Sequence, residues 1–215
     1  MDLFDSDGRA APHEEPLAPG AVVLRGVARP QGADLLARVR KVATQAPFRH
    51  MITPGGLRMS VAMTNCGTLG WVSDESGYRY ARADPLSGEA WPAMPAAYRQ
   101  LARQLAAQAG YAGFAPDACL INRYAPGTRL SLHQDRDERD FAQPIVSVSL
   151  GLPAIFLFGG TKRAERAQRV PLWHGDVVVW GGPARLRYHG VLALKEGDHA
   201  LTGSLRINLT FRKAG

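Results

Sequence analysis

From residue 117 onward the chain loses all helical periodicity and reads as short strands divided by turn residues. The runs are Ala118–Tyr124, Leu130–Asp135, Ile145–Leu150, Ala154–Phe158, Arg169–Trp173, Asp176–Trp180, Arg185–His189 and Ser204–Arg212. Between them stand Ala125-Pro126-Gly127, Gly159-Gly160, His174-Gly175 and Gly181-Gly182-Pro183. Short strands with turns at this spacing must close on themselves as a sandwich or a jelly roll. The last run is the most informative. Residues two apart share a face of a strand, so Leu205, Ile207, Leu209 and Phe211 form one apolar face. Arg206, Asn208, Thr210 and Arg212 form the other. An outer strand with one face in water accounts for that alternation. So does a binding face, because guanidinium is the planar, two-pronged partner of a carboxylate. Six strand residues span about 20 Å, so the two arginines serve one elongated diacid only if it lies between them. Asn122 and Tyr124 likewise share a face and offer an amide and a phenol, either to a carboxylate or simply to water.

Upstream, the spacing predicts two helices. Residues 31–46 place Leu35, Leu36, Val39, Val42 and Ala43 on one stripe, and Pro47 stops them. Residues 95–109 bury Tyr98, Leu101, Ala102, Leu105 and Ala109, and Gly110 closes them. Both are expected to cover one side of the sheet. Residues 50–92 have neither period. Gly, Pro, Thr, Tyr and Trp recur there, with short strands at Met59–Met63 and Tyr78–Tyr80. Trp71, Tyr78 and Tyr80, interleaved with Arg58, Arg79 and Arg82, either pack on the body or form a platform on which bases stack. Residues 1–20, rich in Pro, Asp and Glu, are expected to be a loose arm. Residues 21–215 then make a single domain, with 50–92 as a lid and 117–215 as the core.

Charge separates these parts. The arm holds five of the 19 acids and one of the 26 Lys and Arg, so the body carries 25 bases against 14 acids. Such a body suits a polyanionic partner, nucleic acid first, although solubility alone also accounts for it. Cys66 and Cys119 have no metal-site spacing and fit buried thiols in a reducing cytoplasm. No apolar run is long enough to cross a membrane.

His133 and Asp135 fall two apart in Leu132-His133-Gln134-Asp135, and His189 follows 54 residues after Asp135. That separation is too long for a zinc finger but suits ligands gathered across a barrel. Two histidines and one carboxylate hold Fe(II) on one face and leave the other positions open. A polar pair on a solvated strand reads the same way in letters.

Together, Asn122-Arg123-Tyr124-Ala125-Pro126-Gly127, the His133-Gln134-Asp135 run, Ser147-Val148-Ser149-Leu150-Gly151, His174-Gly175-Asp176-Val177-Val178-Val179-Trp180-Gly181-Gly182 and Arg206-Ile207-Asn208-Leu209-Thr210-Phe211-Arg212 resemble the bacterial AlkB family, Fe(II)/2-oxoglutarate-dependent DNA alkylation-repair dioxygenases. The likeness runs from about residue 15 to the end and includes Thr53–Gly56, Ser60–Gly67 and Leu69–Trp71. It implies a mostly β fold with flanking helices: a double-stranded β-helix (jelly-roll, cupin-like) with an N-terminal nucleotide-recognition lid. It implies iron on His133, Asp135 and His189, with 2-oxoglutarate and O2 as co-substrates. Asn122, Tyr124, Arg206, Asn208 and Arg212 would bind 2-oxoglutarate, one arginine at each carboxylate. Trp71 would stack on a flipped base with His133 on its other side. Tyr78, Arg79 and Tyr80 would touch the strand, Asp137 the edge of the damaged base, and Arg163 would position substrate. The activity implied is oxidative demethylation of bases such as 1-methyladenine and 3-methylcytosine in single- or double-stranded DNA, with RNA as a further substrate. The products would be formaldehyde, succinate and CO2. A cytoplasmic monomer is expected. Departures from the family pattern are Leu57 in place of an aromatic residue, a more basic loop at 161–169 and a longer acidic arm.

Overall fold

A computed structural model describes residues 11–215. In chain order the elements are β1 (His13–Ala18), β2 (Ala21–Arg25), α1 (Gly32–Gln45), β3 (Ala62–Gly67), β4 (Gly70–Asp74), β5 (Gly77–Ala81), α2 (Ala96–Gln108), β6 (Ala118–Tyr124), β7 (Leu130–His133), β8 (Ile145–Gly151), β9 (Ala154–Phe158), β10 (Gln168–Leu172), β11 (Val177–Trp180), β12 (His189–Val191) and β13 (Arg206–Arg212). A seven-stranded sheet runs β1-β2-β11-β8-β13-β6-β3. A four-stranded sheet runs β10-β9-β12-β7, and β4 and β5 form a separate hairpin. This is the jelly-roll sandwich expected from the turn spacing, with both helices on one side.

The alternation in β13 explains the layering. Ile207, Leu209 and Phe211, with Val146, Val148 and Ile121 of the neighbouring strands, pack under Leu35, Val39 and Val42 of α1 and Tyr98, Leu101 and Leu105 of α2. Each such side chain stabilises the fold by about 1.5–3 kcal/mol relative to exposure. The other face of the large sheet, through Tyr124, Val178 and Trp180, meets Phe156, Phe158 and Val191 of the small sheet. β13 is therefore not an outer strand. It lies between β8 and β6, and its polar face turns inward, with Arg206 at 2% and Arg212 at 6% exposure.

Several expectations need correction. Of the arm, residues 1–10 lie outside the described residues, but His13–Ala18 is not loose. It is an edge strand on β2, and Glu15 pairs with Arg25 at 2.6 Å. An edge position tolerates Pro16, which the composition had made look like coil. The Arg185–His189 run is not a strand until His189. The turn at Gly182–Ala184 continues through Arg185, whose side chain is buried rather than laddered. β3 starts at Ala62, three residues later than Met59, and β4 was not foreseen.

One glycine sets the geometry of the small sheet. β12 pairs with β7 through His189↔His133 and with β9 through His189↔Phe158. A Cβ on Gly190 would fall 2.7 Å from the Leu130 carbonyl oxygen. Only a bare α-carbon lets β12 and β7 come close enough to set the two histidines side by side. Gly190→Ala is expected to cost about 1–3 kcal/mol of stability and to weaken metal binding. Thermal melts and a metal titration check it.

No helix among the described residues is long and apolar enough to cross a membrane. Cys66 and Cys119 are buried free thiols facing each other across β3 and β6.

Candidate metal and co-substrate centre

The strand ends that meet at Gly190 build the centre. His133 closes β7, His189 opens β12, and Asp135 lies two residues past His133. Their potential ligand atoms all fall within 4.8 Å of one another. Asp135 Oδ1 is 3.6 Å from His133 Nε2, and its Oδ2 is 3.7 Å from His189 Nε2. Each histidine directs Nδ1 at a backbone carbonyl, His133 at Ser131 (2.8 Å) and His189 at Arg187 (3.1 Å). Nδ1–H donates, so Nε2 carries the lone pair that faces the centre. Burial, aided by the neighbouring His133, pushes His189 down to about 3, so it is neutral at physiological pH, as a ligand must be. Burial alone would raise Asp135. Arg212 and the two histidines outweigh it and hold the carboxyl well below the usual range. These three residues form a metal-binding triad of the kind that suits Fe(II) and leaves coordination positions free.

The triad opens onto a cavity of about 770 Å³ lined by all five residues expected to grip a diacid: Asn122, Tyr124, Arg206, Asn208 and Arg212. Their strands fix them there. Asn208 is in register with Asn122, and Arg206 with Tyr124, so all point from the large sheet into the cavity. Beside the triad, Arg212 donates from Nε (2.9 Å) and Nη2 (2.6 Å) to Asp135 Oδ2. At the far end Arg206 is buried, and its Nη2 donates to Ser149 Oγ at 2.9 Å. Its Nε and Nη1, and Asn122 Oδ1, are buried with no hydrogen-bond partner among the described residues. A buried guanidinium short of acceptors is costly unless a carboxylate supplies them. Burial pushes the Tyr124 phenol up to about 12, so it stays protonated and can donate. The donor set therefore fits a dicarboxylate reaching from Arg206 toward the metal.

Asn208 is braced by Ser147 Oγ (2.8 Å) and by Thr210, whose hydroxyl donates to Asn208 Oδ1 (2.8 Å). Sequence reading assigned no role to Ser147, Ser149 or Thr210. The signal was present: Ser147 and Ser149 lie two apart on the same face of the neighbouring strand.

Over the mouth stands the β4–β5 hairpin. Its register pairs Trp71 with Tyr80 and Ser73 with Tyr78, so the three aromatic rings share one face. Trp71 and Tyr78 line the cavity, and their rings stack at 5.7 Å and 13°. Trp71 donates from Nε1 to Asp137 Oδ2 at 2.7 Å, and Asp137 also lines the mouth. Arg163 also lines the cavity and donates to the Leu132 carbonyl (2.8 Å). Two expected strand contacts lie elsewhere. Arg79 alternates to the other face of the hairpin and pairs with Asp74 at 2.7 Å, because residues next to one another in a strand point apart. Tyr80 turns inward and donates to Glu138 Oε1 at 2.7 Å. Glu138 and Arg185, buried against each other at 2.9 Å, also went unforeseen. Arg185 further donates to the Asp135 carbonyl (3.0 Å), bracing the backbone of a metal ligand. In the sequence, Glu138 sits in a run of mixed charges, Asp135–Asp140, that reads as a solvated loop.

Comparison with known proteins agrees with this geometry. The profile of the 2OG-Fe(II) oxygenase superfamily matches residues 20–212. The chain is 59% identical to the α-ketoglutarate-dependent dioxygenase AlkB of Salmonella typhimurium over 214 residues, covering 100% of this chain and 98% of that protein. It is 58% identical to AlkB of Escherichia coli, again over 100% and 98%. The solved structure of OsALKBH1 superposes with a TM-score of 0.81 at 28% identity, covering 94% of this chain and 100% of that one. The chain thus belongs to the AlkB family of α-ketoglutarate-dependent dioxygenases within the 2OG-Fe(II) oxygenase superfamily.

Proposed function

We propose that the protein oxidatively removes N-alkyl groups from nucleic-acid bases, DNA first and RNA second, acting as a monomer in the cytoplasm. The observation that carries this reading is a single cavity joining three features: a metal triad, a buried guanidinium short of acceptors, and a mouth framed by Trp71 and Tyr78. Iron with 2-oxoglutarate and O2 supplies the oxidising power. For each methyl removed, one O2 and one 2-oxoglutarate give succinate, CO2 and a hydroxymethyl amine, which collapses to formaldehyde and the repaired base. The protein does the rest. Arg206, Tyr124 and Asn122 hold the far carboxylate, and Arg212 takes the near one.

The base must leave its stack to bring a methyl group to the triad, at a cost of a few kcal/mol. Tyr78 covers one face of the Trp71 ring. A base entering the cavity would take the remaining face, toward His133, and recover about 1–3 kcal/mol by stacking. Tyr78 and Arg163, both lining the cavity, support positioning of the flanking strand. Arg79, turned away and paired, is dropped from that group.

Asp137 faces the mouth, where 1-methyladenine and 3-methylcytosine would carry positive charge. It is exposed, so screening limits its pull to about 1 kcal/mol. Asp137→Asn keeps an acceptor for Trp71 and removes the charge. It is expected to lower kcat/KM about fivefold on cationic lesions and to spare neutral ones, and parallel turnover assays on the two kinds of oligonucleotide check it. An equal loss on both would remove Asp137 from the role.

The defining experiment is formaldehyde release from a methylated oligonucleotide. Release that needs both iron and 2-oxoglutarate is the expected result. Zinc-supported release of methanol in place of formaldehyde, without 2-oxoglutarate, would make the protein a hydrolase. Turnover on a peptide but on neither nucleic acid would move the substrate class.

A further inference from the structure

Glu138 joins two parts of the molecule that are distant in sequence. It follows β7, is 5% exposed, and uses both carboxylate oxygens. Oε2 accepts from Arg185 Nη2 at 2.9 Å. Oε1 accepts the Tyr80 phenol at 2.7 Å and lies 3.2 Å from Arg212 Nε. Arg212 in turn reaches Asp135 Oδ2. A continuous chain, Tyr80–Glu138–Arg212–Asp135, therefore runs from the hairpin over the mouth to a metal ligand. Burial keeps the Tyr80 phenol protonated, so it remains a donor throughout.

The shared oxygen is the important feature. A hairpin residue and a cavity arginine draw on the same Oε1. A carboxylate arriving beside Arg212 draws on that guanidinium and loosens its hold on Glu138. Oε1 is then freer to accept Tyr80, and the hairpin sits down more firmly. Thermodynamic linkage makes the effect mutual, so a docked hairpin tightens the grip on the carboxylate.

We propose that Glu138 is a positioning residue that couples occupancy of the co-substrate site to docking of the β4–β5 hairpin through Tyr80. This rests on Arg212 taking a carboxylate of 2-oxoglutarate. The coupling orders events. The hairpin that carries Trp71 is seated over a loaded cavity and looser over an empty one.

The test compares the full chain with its Tyr80→Phe variant, which keeps the ring and loses only the shared hydrogen bond. Amide hydrogen exchange across residues 70–81 is followed with Mn(II) alone and with Mn(II) plus 2-oxoglutarate, so no turnover is needed. In the parent protein 2-oxoglutarate is expected to slow hairpin exchange about tenfold, within what a hydrogen bond to a charged acceptor is worth. In Tyr80→Phe the slowing should shrink to less than about twofold, and the calorimetric Kd for 2-oxoglutarate should weaken by a matching factor. Equal slowing in both proteins, or none in either, overturns the coupling and leaves the proposed activity standing. If 2-oxoglutarate gives no binding heat with the parent protein, the co-substrate assignment falls and the coupling falls with it.

Discussion

Replacing Arg206 with methionine is expected to raise the 2-oxoglutarate concentration for half-maximal turnover about a hundredfold or more, while the empty protein melts no lower than the parent. Two opposing effects lead there. Removing one partner of a desolvated charge pair costs about 2–5 kcal/mol of binding, and each 1.4 kcal/mol is about tenfold in Kd. Without ligand, however, Arg206 is itself a burden. It is 2% exposed, and two of its nitrogens, Nε and Nη1, find no acceptor among the described residues. Methionine fills much of the same volume and buries no charge, and such exchanges are often neutral or stabilising. Calorimetric binding of 2-oxoglutarate and thermal melts of the ligand-free protein check the two halves. Normal affinity with a lowered melting temperature would make Arg206 a structural residue and leave the diacid without an anchor.

The second large effect separates two members of the triad, Asp135 and His133. Asp135→Ala and His133→Ala should each abolish iron-dependent turnover, because two remaining ligands cannot hold the ion in an open site. Their stabilities should part. Asp135 is the principal partner of Arg212, whose guanidinium is almost wholly buried. Deleting it strands that charge at a cost of about 3–5 kcal/mol. The His133 side chain is 34% exposed, and its removal should cost about 1 kcal/mol or less. Denaturant melts of the metal-free variants, alongside iron binding, decide it. Equal destabilisation by the two substitutions would show that Arg212 relies on Glu138 rather than on Asp135.

These sites were legible in the sequence to unequal degrees. The period of two in β13 marked which residues share a face, and the repeated turns marked a closed β fold. What the letters left open was where that polar face looked. Alternation is identical whether water or a lined cavity lies opposite, and only the neighbours of a strand decide. Here β6 and β8 supply matching amides and hydroxyls in register. The same period corrected the hairpin: Trp71, Tyr78 and Tyr80 share a face, and Arg79 does not. Glu138 and Arg185 escaped notice for a different reason. Buried ion pairs are made between segments far apart in the chain, and each partner looks like surface when read alone. Pro16 misled in the opposite direction, since an edge strand with a single neighbour accepts a residue that a central strand rejects.

The catalytic centre also straddles the seam of the sandwich. The triad's donors come from the small leaf, through the ends of β7 and β12, and the residues proposed to grip the diacid come from the large leaf. A molecule lying between them acts as mortar. Thermal resistance should therefore climb with the logarithm of diacid concentration, even under nitrogen, where no chemistry runs. Any compact diacid able to touch both leaves will announce itself in a melting assay, which turns a seam in the architecture into a means of finding inhibitors.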